Sequence, residues 1–72
     1  MPRPIVYEVF PSSGGWVVRM AADTETESFD EKAIAVARAR RLAARENAIV
    51  RVFLPNGRVE AEYSPPRTGT GP

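Results

Sequence analysis

The sequence predicts an α+β domain in which one helix packs on one face of an antiparallel sheet of about four strands. Two observations carry this prediction. Extended runs rich in β-branched and aromatic residues occur in pairs towards both ends of the chain, and turn residues that include glycine separate the members of each pair. One alanine-rich stretch between the pairs has the apolar spacing of a helix. The predicted order is therefore hairpin, helix, hairpin.

The first hairpin is predicted from residues 5–10 and 16–20, which flank the turn sequence Pro11-Ser12-Ser13-Gly14-Gly15. We expect its two glycines to supply the positive φ that a chain reversal requires. The polar segment AADTETES follows. It predicts either a loop or a short edge strand, because threonine favours extended structure whereas the acidic residues do not.

Ser28 is predicted to open the helix through a capping box with Glu31, and the helix then continues through FDEKAIAVARARRLAAREN. Spacing the residues by ~100° gives two opposite faces. The predicted core face is Phe29, Ala35, Val36, Ala39, Leu42 and Ala43. We expect Phe29, Val36 and Leu42 to supply most of its buried volume. The predicted outer face is Ile34, Arg38, Arg41 and Arg45.

The second hairpin is predicted from residues 49–54 and 58–63, because Asn-Gly in the intervening Pro55-Asn56-Gly57 is a strong hairpin signal. Residues 1–63 then form a single α+β domain. Residues 64–72, SPPRTGTGP, have almost nothing to bury, so they are expected to be a disordered tail.

Alternation along the strands predicts which side chains lie under the helix. If Arg19, Arg51, Glu60 and Glu62 face solvent, Trp16 belongs to the core, which we favour over a role in stacking on a ligand. The whole inward set is Ile5, Tyr7, Val9, Trp16, Val18, Met20, Val50, Val52, Leu54, Val59, Ala61 and Tyr63.

The opposite face is predicted to be more apolar than a surface that meets only water. Its apolar members are Val6, Phe10, Val17, Ile49 and Phe53, and its charged members are Glu8, Arg19, Arg51, Arg58, Glu60 and Glu62. The favoured interpretation is a homo-oligomer in which two sheets pack face to face or an edge strand pairs with its copy. The alternative is a nucleic-acid platform on which the phenylalanines stack on bases and the arginines hold phosphates, although the two glutamates late in the chain would repel phosphate.

The helix stripe Arg38, Arg41 and Arg45 is a second candidate surface for nucleic acid. Like charges spaced four apart repel each other unless something compensates them. A phosphate backbone would do so, and so would solvent, the helix dipole or carboxylates of a neighbouring subunit. A solvated face is the favoured interpretation.

Composition argues against several classes of function. The 72 residues include no cysteine and no histidine, and the formal net charge is +1. A disulfide framework, a thiolate metal site and a histidine base are therefore excluded. We expect no enzyme activity, no catalytic residues, no metal and no cofactor. The first residues contain no apolar run long enough for a signal peptide or a membrane span, so a cytoplasmic protein without a membrane partner is expected.

The stretches VFPSSGGWVVR, TESFDEKAIAVARARRLAARENA and VRVFLPNGRVE cover about residues 6–62 and resemble a small bacterial family, domain of unknown function 2188. Its members carry a Pro-x-x-Gly-Gly-Trp-x-Val hairpin, an alanine-rich helix and a closing strand that ends in a turn with glycine. Here arginines replace the usual helix lysines, and Pro55-Asn56-Gly57 stands where a histidine or acidic glycine turn is frequent. The resemblance implies the fold and no known activity.

The chain also resembles, more loosely, the strand-strand-helix-strand antitoxin domains of the HicB type. Those domains neutralise a toxin and often assemble as oligomers. The resemblance implies a protein partner, although the chain carries no added DNA-binding segment. The sequence thus predicts a small cytoplasmic interaction module, with nucleic-acid binding and an antitoxin-like role as the alternatives.

Overall fold

The structure is a computed structural model that describes residues 5–20 and 25–64. These residues contain five strands and one helix. In chain order the elements are β1 (Val6–Ser12), β2 (Gly15–Met20), β3 (Thr26–Phe29), α1 (Lys32–Glu46), β4 (Ile49–Phe53) and β5 (Val59–Tyr63). Apart from Ser64, the tail predicted to be disordered lies outside the described residues.

The five strands form one sheet in the order β3-β2-β1-β4-β5. Neighbouring strands are antiparallel except the central pair, β1 and β4, which is parallel. The α+β class with one helix and a mostly antiparallel sheet is therefore confirmed, but the sheet has five strands where about four were predicted, and its central pair is parallel. The reason is that α1 returns the chain to the end of the sheet where β1 begins, so β4 leaves in the same direction as β1.

The segment Thr26–Phe29 is an edge strand, which was one of the two possibilities for it. It pairs with β2, and Val17 lies opposite Ser28. Phe29, the residue after Ser28, is still paired with Trp16 in the strand ladder, so the chain does not turn into a helix at Ser28. The predicted capping box is wrong, because α1 begins at Lys32 after Glu31, and no side chain caps it.

The core lies between α1 and the central strands. Phe29, Val36 and Leu42 are only partly buried at its margin, which corrects the expectation that they supply most of the buried volume. Small alanines on the helix let it lie close to the sheet, so valines of the central strands fill the space instead. The buried residues are Tyr7, Val9, Val18, Ala35, Ala39, Ala43, Ala48, Val50 and Val52.

Strand β5 reaches beyond the area that α1 covers. Tyr63, which was predicted to lie under the helix, is 36% exposed. Val59 was predicted there too, but it is 50% exposed and pairs with Phe53 after a register shift, so it faces away from the helix. Ile5 and Leu54, each 37% exposed, correct the same prediction for a different reason, because they lie just beyond the ends of β1 and β4. A helix is ~10 Å wide, whereas five strands span about 19 Å from the first to the last, so one helix leaves an edge uncovered.

The glycines of the two tight turns have different roles. Gly14 has φ 74° and Gly57 has φ 89°, as a chain reversal requires. The expectation of positive φ is wrong for Gly15, which instead lies against β3. A Cβ at Gly15 would come 2.5 Å from the carbonyl oxygen of Phe29, so the close approach of two backbones requires glycine here.

The last turn of α1 is held to the sheet. Asn47 ends the helix with φ 55°, and its N–H donates to the carbonyl of Ala43. The hydroxyl of Tyr7 in β1 donates to Oε1 of Glu46 at 2.8 Å. This bond joins the helix end to the central strand and leaves the opposite sheet face free of the helix.

Candidate interaction surface on the open face of the sheet

We call the sheet face opposite α1 the open face. A row of alternating charge crosses it, because the strand register aligns Arg19 of β2, Glu8 of β1, Arg51 of β4 and Glu62 of β5. In β3 the uncharged Thr26 lies beside Arg19. These four charged residues are the charged row, and its formal charges sum to zero.

Apolar side chains flank the charged row on both sides. Val17 lies opposite Phe10 on one side, and Val6 lies opposite Ile49 on the other. Phe53 and Phe10 line the same shallow hollow. All five are partly exposed, and within residues 5–20 and 25–64 no helix or strand packs on this face. The structure thus places every residue of the predicted interface on one surface.

Ion pairs join neighbouring members of the charged row. Nη2 of Arg19 lies 2.8 Å from Oε1 of Glu8, and Nε of Arg51 lies 2.6 Å from Oε2 of Glu62. Such partly exposed pairs contribute only about 0.2–1 kcal/mol each to stability. Their larger effect here is to fix where each charge stands on the open face.

Arg19 is held on the surface of its own sheet. Its guanidinium carbon lies 5.1 Å from the ring centre of Phe10, within the range of a cation–π contact. Its Nε is closed off from solvent and has no acceptor in the described part of the chain. Arg19 therefore covers the ring of Phe10 while its terminal nitrogen faces Glu8.

Glu60 does not share the open face, which corrects the prediction. The register shifts at Phe53, which lies opposite Val59, so Glu60 is an extra residue in β5. The Glu60 carboxylate pairs with Nζ of Lys32 at the start of α1, on the helix side of the sheet. A simple alternation along β5 fails because the bulge interrupts its period of two residues. The register shift therefore takes one acidic residue away from the open face.

The predicted nucleic-acid residues fall on separate surfaces. Two arginines belong to the charged row, Arg58 is exposed beside the β4–β5 turn, and the helix arginines lie on the far side of the molecule. Nε of Arg38 donates to Glu27 of β3 at 3.0 Å. Arg41 and Arg45 are exposed and form no ion pair with the described residues.

Arg40 was not predicted as a site residue, although it takes part in the exposed surface beside β5. Its guanidinium carbon lies 4.6 Å from the ring centre of Tyr63, so the two side chains stack at the uncovered edge of the sheet. The helical pattern gave no signal for this contact, because it depends on how far β5 extends beyond α1. The hollow next to the stack is floored by alanines, among them Ala44 and Ala48.

A third hollow, of about 490 Å³, lies where the first hairpin turn meets the start of α1. Trp16 forms part of the wall of this hollow, and the other side of its ring packs against the core. The ammonium of Lys32 lies 5.5 Å from the centre of the Trp16 ring. Asp30 and Glu31 line the same hollow. In the described stretches no group of three or more histidine, cysteine, aspartate or glutamate residues could hold a metal ion.

Three comparisons with known proteins bear on identity. The model of a family described as uncharacterized protein conserved in bacteria, DUF2188, matches residues 7–64. No curated protein and no solved structure matches the chain. The one helix in the described residues is too short and too polar to cross a membrane.

Proposed function

Because the chain belongs to a family of uncharacterised bacterial proteins, DUF2188, its function has to be inferred from its own surfaces, and we propose that it is a small interaction module without catalytic activity. We propose further that it binds a second copy of itself through the open face. The observation that carries this proposal is the arrangement of that face, on which apolar side chains flank a charged row whose charges sum to zero.

The composition of the open face fits a protein interface better than a phosphate surface. Its arginines already face carboxylates of neighbouring strands, so an approaching polyanion would meet Glu8 and Glu62 as well as Arg19 and Arg51. The apolar side chains beside them remain partly exposed and gain most from being covered. A second copy supplies apolar area and a balanced set of charges together.

The size of the open face sets the expected affinity of self-association. Four strands at ~4.8 Å spacing and five residues at ~3.4 Å rise give a flat area of roughly 300 Å² per copy. Even when the extra area of protruding side chains is added, the open face stays below the ~800 Å² per partner of a stable interface of standard size. We therefore expect a monomer–dimer equilibrium that depends on protein concentration, with a dissociation constant in the micromolar range or higher.

Sedimentation of Phe53→Glu tests the proposal. The added carboxylate lies in an apolar row, so we expect the variant to stay monomeric at concentrations where the parent protein associates, while circular dichroism keeps its helix signal. Ile34→Glu is the matched control, because Ile34 is 53% exposed on the helix, away from the open face. An unchanged mass of Phe53→Glu, in a protein that does associate, would show that the interface lies elsewhere.

Nucleic-acid binding by the helix is the second candidate, and the observation that favours it is the exposure of Arg41 and Arg45 without ion pairs in the described residues. It predicts an affinity for a short single-stranded oligonucleotide that falls steeply with salt. Arg41→Glu combined with Arg45→Glu should abolish that affinity, whereas Arg51→Glu on the open face should leave it unchanged. Equal binding by all of these proteins would remove the helix from consideration.

A further inference from the structure

We infer that the two copies meet about a two-fold axis that runs parallel to the strands and lies between β1 and β4. The inference rests on the proposed function, because it fixes the orientation of the same dimer. It places Arg19 against Glu62 of the partner subunit and Glu8 against Arg51 of the partner subunit. The observation that carries it is the order of charges along the charged row.

The charged row alternates in sign from β2 to β5, in the order Arg19, Glu8, Arg51, Glu62. A two-fold axis parallel to the strands reverses the order of strands in the facing copy and leaves positions along each strand unchanged. Reversing a row of four alternating charges exchanges every sign. Each guanidinium then faces a carboxylate, provided that the axis passes through the centre of the row, between β1 and β4.

The other axis that could relate two facing sheets runs perpendicular to the strands, and it gives the opposite result. It sets each strand against its own copy, so Arg19 would face Arg19 of the partner subunit and Glu8 would face Glu8 of the partner subunit. Like charges in a closed interface are strongly unfavourable. Moving this axis along the strands would instead set charged residues against an apolar row, where they would be buried without partners.

The apolar rows agree with the first axis. Each row then faces itself in reverse, so Phe10 lies over Phe53 of the partner subunit and Val6 lies over Ile49 of the partner subunit. Facing sheets pack ~10 Å apart and cross at about −30°, and long arginine and glutamate side chains can span the resulting offset. The interface would consist of two apolar bands on either side of a neutralised charged band.

Cross-linking tests the axis directly, because the chain contains no cysteine and each introduced thiol is unique. Arg19→Cys and Glu62→Cys, one of them tagged, are mixed and treated with a short bifunctional maleimide. We expect the mixed product to exceed both self-products, since in this dimer identical positions lie about three strand spacings, or ~14 Å, apart across the sheet. The mixed dimer keeps one native Arg19–Glu62 contact. Ile34→Cys measures cross-linking by random collision.

Exchange of charges provides the second test. Glu8→Arg alone and Arg51→Glu alone each place two pairs of like charges in the dimer, so each should associate at least about tenfold more weakly than the parent protein. A mixture of the two variants should recover association, because the introduced Arg then faces the introduced Glu across the interface. Circular dichroism of each variant checks that the monomer is folded.

The outcomes separate the orientation from self-association itself. A parent protein that sediments as a monomer at every concentration up to about 1 mM, together with cross-linking no higher than that of Ile34→Cys, would overturn both. A parent dimer in which Arg19→Cys links mainly to itself would keep self-association and overturn the axis proposed here. A mixture of Glu8→Arg and Arg51→Glu that stays as weak as its components would also overturn the predicted pairing across the interface.

Discussion

Gly15→Ala is the substitution with the clearest consequence for the fold. The new Cβ would come 2.5 Å from the carbonyl oxygen of Phe29, whereas ordinary contact begins near 3.4 Å, so one of the two strands has to move by about 1 Å. The atoms that the new Cβ would meet belong to the backbone of Phe29, so no side-chain rotation relieves the clash. Overpacking of this kind costs about 1–3 kcal/mol, out of the roughly 3–9 kcal/mol of unfolding free energy expected for a domain of this size.

Urea unfolding followed by circular dichroism measures this loss. With a slope of about 1 kcal/mol per molar urea for a small domain, the midpoint of Gly15→Ala should fall by roughly 1–3 M. Protein concentration has to be the same for all variants, because self-association would raise the apparent stability.

Gly14 provides the matched comparison, since its requirement for glycine has a different cause. A Cβ there would meet nothing within 4 Å, but the residue has φ 74°. Gly14→Ala should cost about 1–2 kcal/mol, and Gly14→Asn should cost less because asparagine tolerates that conformation. Gly15→Asn should remain as unstable as Gly15→Ala. A normal midpoint for Gly15→Ala, or its recovery by asparagine, would refute the explanation by steric contact.

Three further predictions concern the contacts that hold α1 and β3 to the sheet. Val9→Ala removes two methyl groups from a site with 0% exposure, so the unfolding free energy should fall by about 2–3 kcal/mol in urea titrations; a loss below 0.5 kcal/mol would contradict the close packing. Tyr7→Phe removes the hydrogen bond to Glu46 and should cost about 1–2 kcal/mol, with Glu46→Gln less affected because its amide oxygen still accepts. Arg38→Gln, which breaks the exposed pair with Glu27, should change the unfolding free energy by less than about 1 kcal/mol and by still less at high salt.

Local sequence patterns predicted which segments form most of the strands and which forms the helix, but pairing between strands decided where the helix begins. The Asn56-Gly57 turn and the alanine face of α1 follow from properties of a few neighbouring residues, and the structure contains both. The helix cap was predicted three residues too early, at Ser28 instead of Glu31, since a local cap competed there with strand pairing to β2. Nothing near Ser28 in the sequence shows that β2 has a free edge for it.

The candidate surface was likewise predictable in membership but not in arrangement. Alternation along each strand assigns Phe10 and Phe53 to the face opposite the helix. It does not reveal that β1 and β4 are parallel neighbours, which is what sets Glu8 beside Arg51. The alternating order of the charged row is therefore a property of the sheet register, and it becomes visible only when the strands are placed in spatial order.

The parallel pairing of β1 with β4 also has a consequence for how the chain reaches its native state. Its ladder joins Val6 to Ile49, so it closes a long loop, whereas both hairpins and α1 form from residues close in sequence. Pairings between distant segments slow folding. During synthesis β1 emerges before the other strands of this sheet, and one of its edges stays open until β4 follows. The central strand of the finished sheet is thus exposed to wrong partners while β2, β3 and α1 are being made.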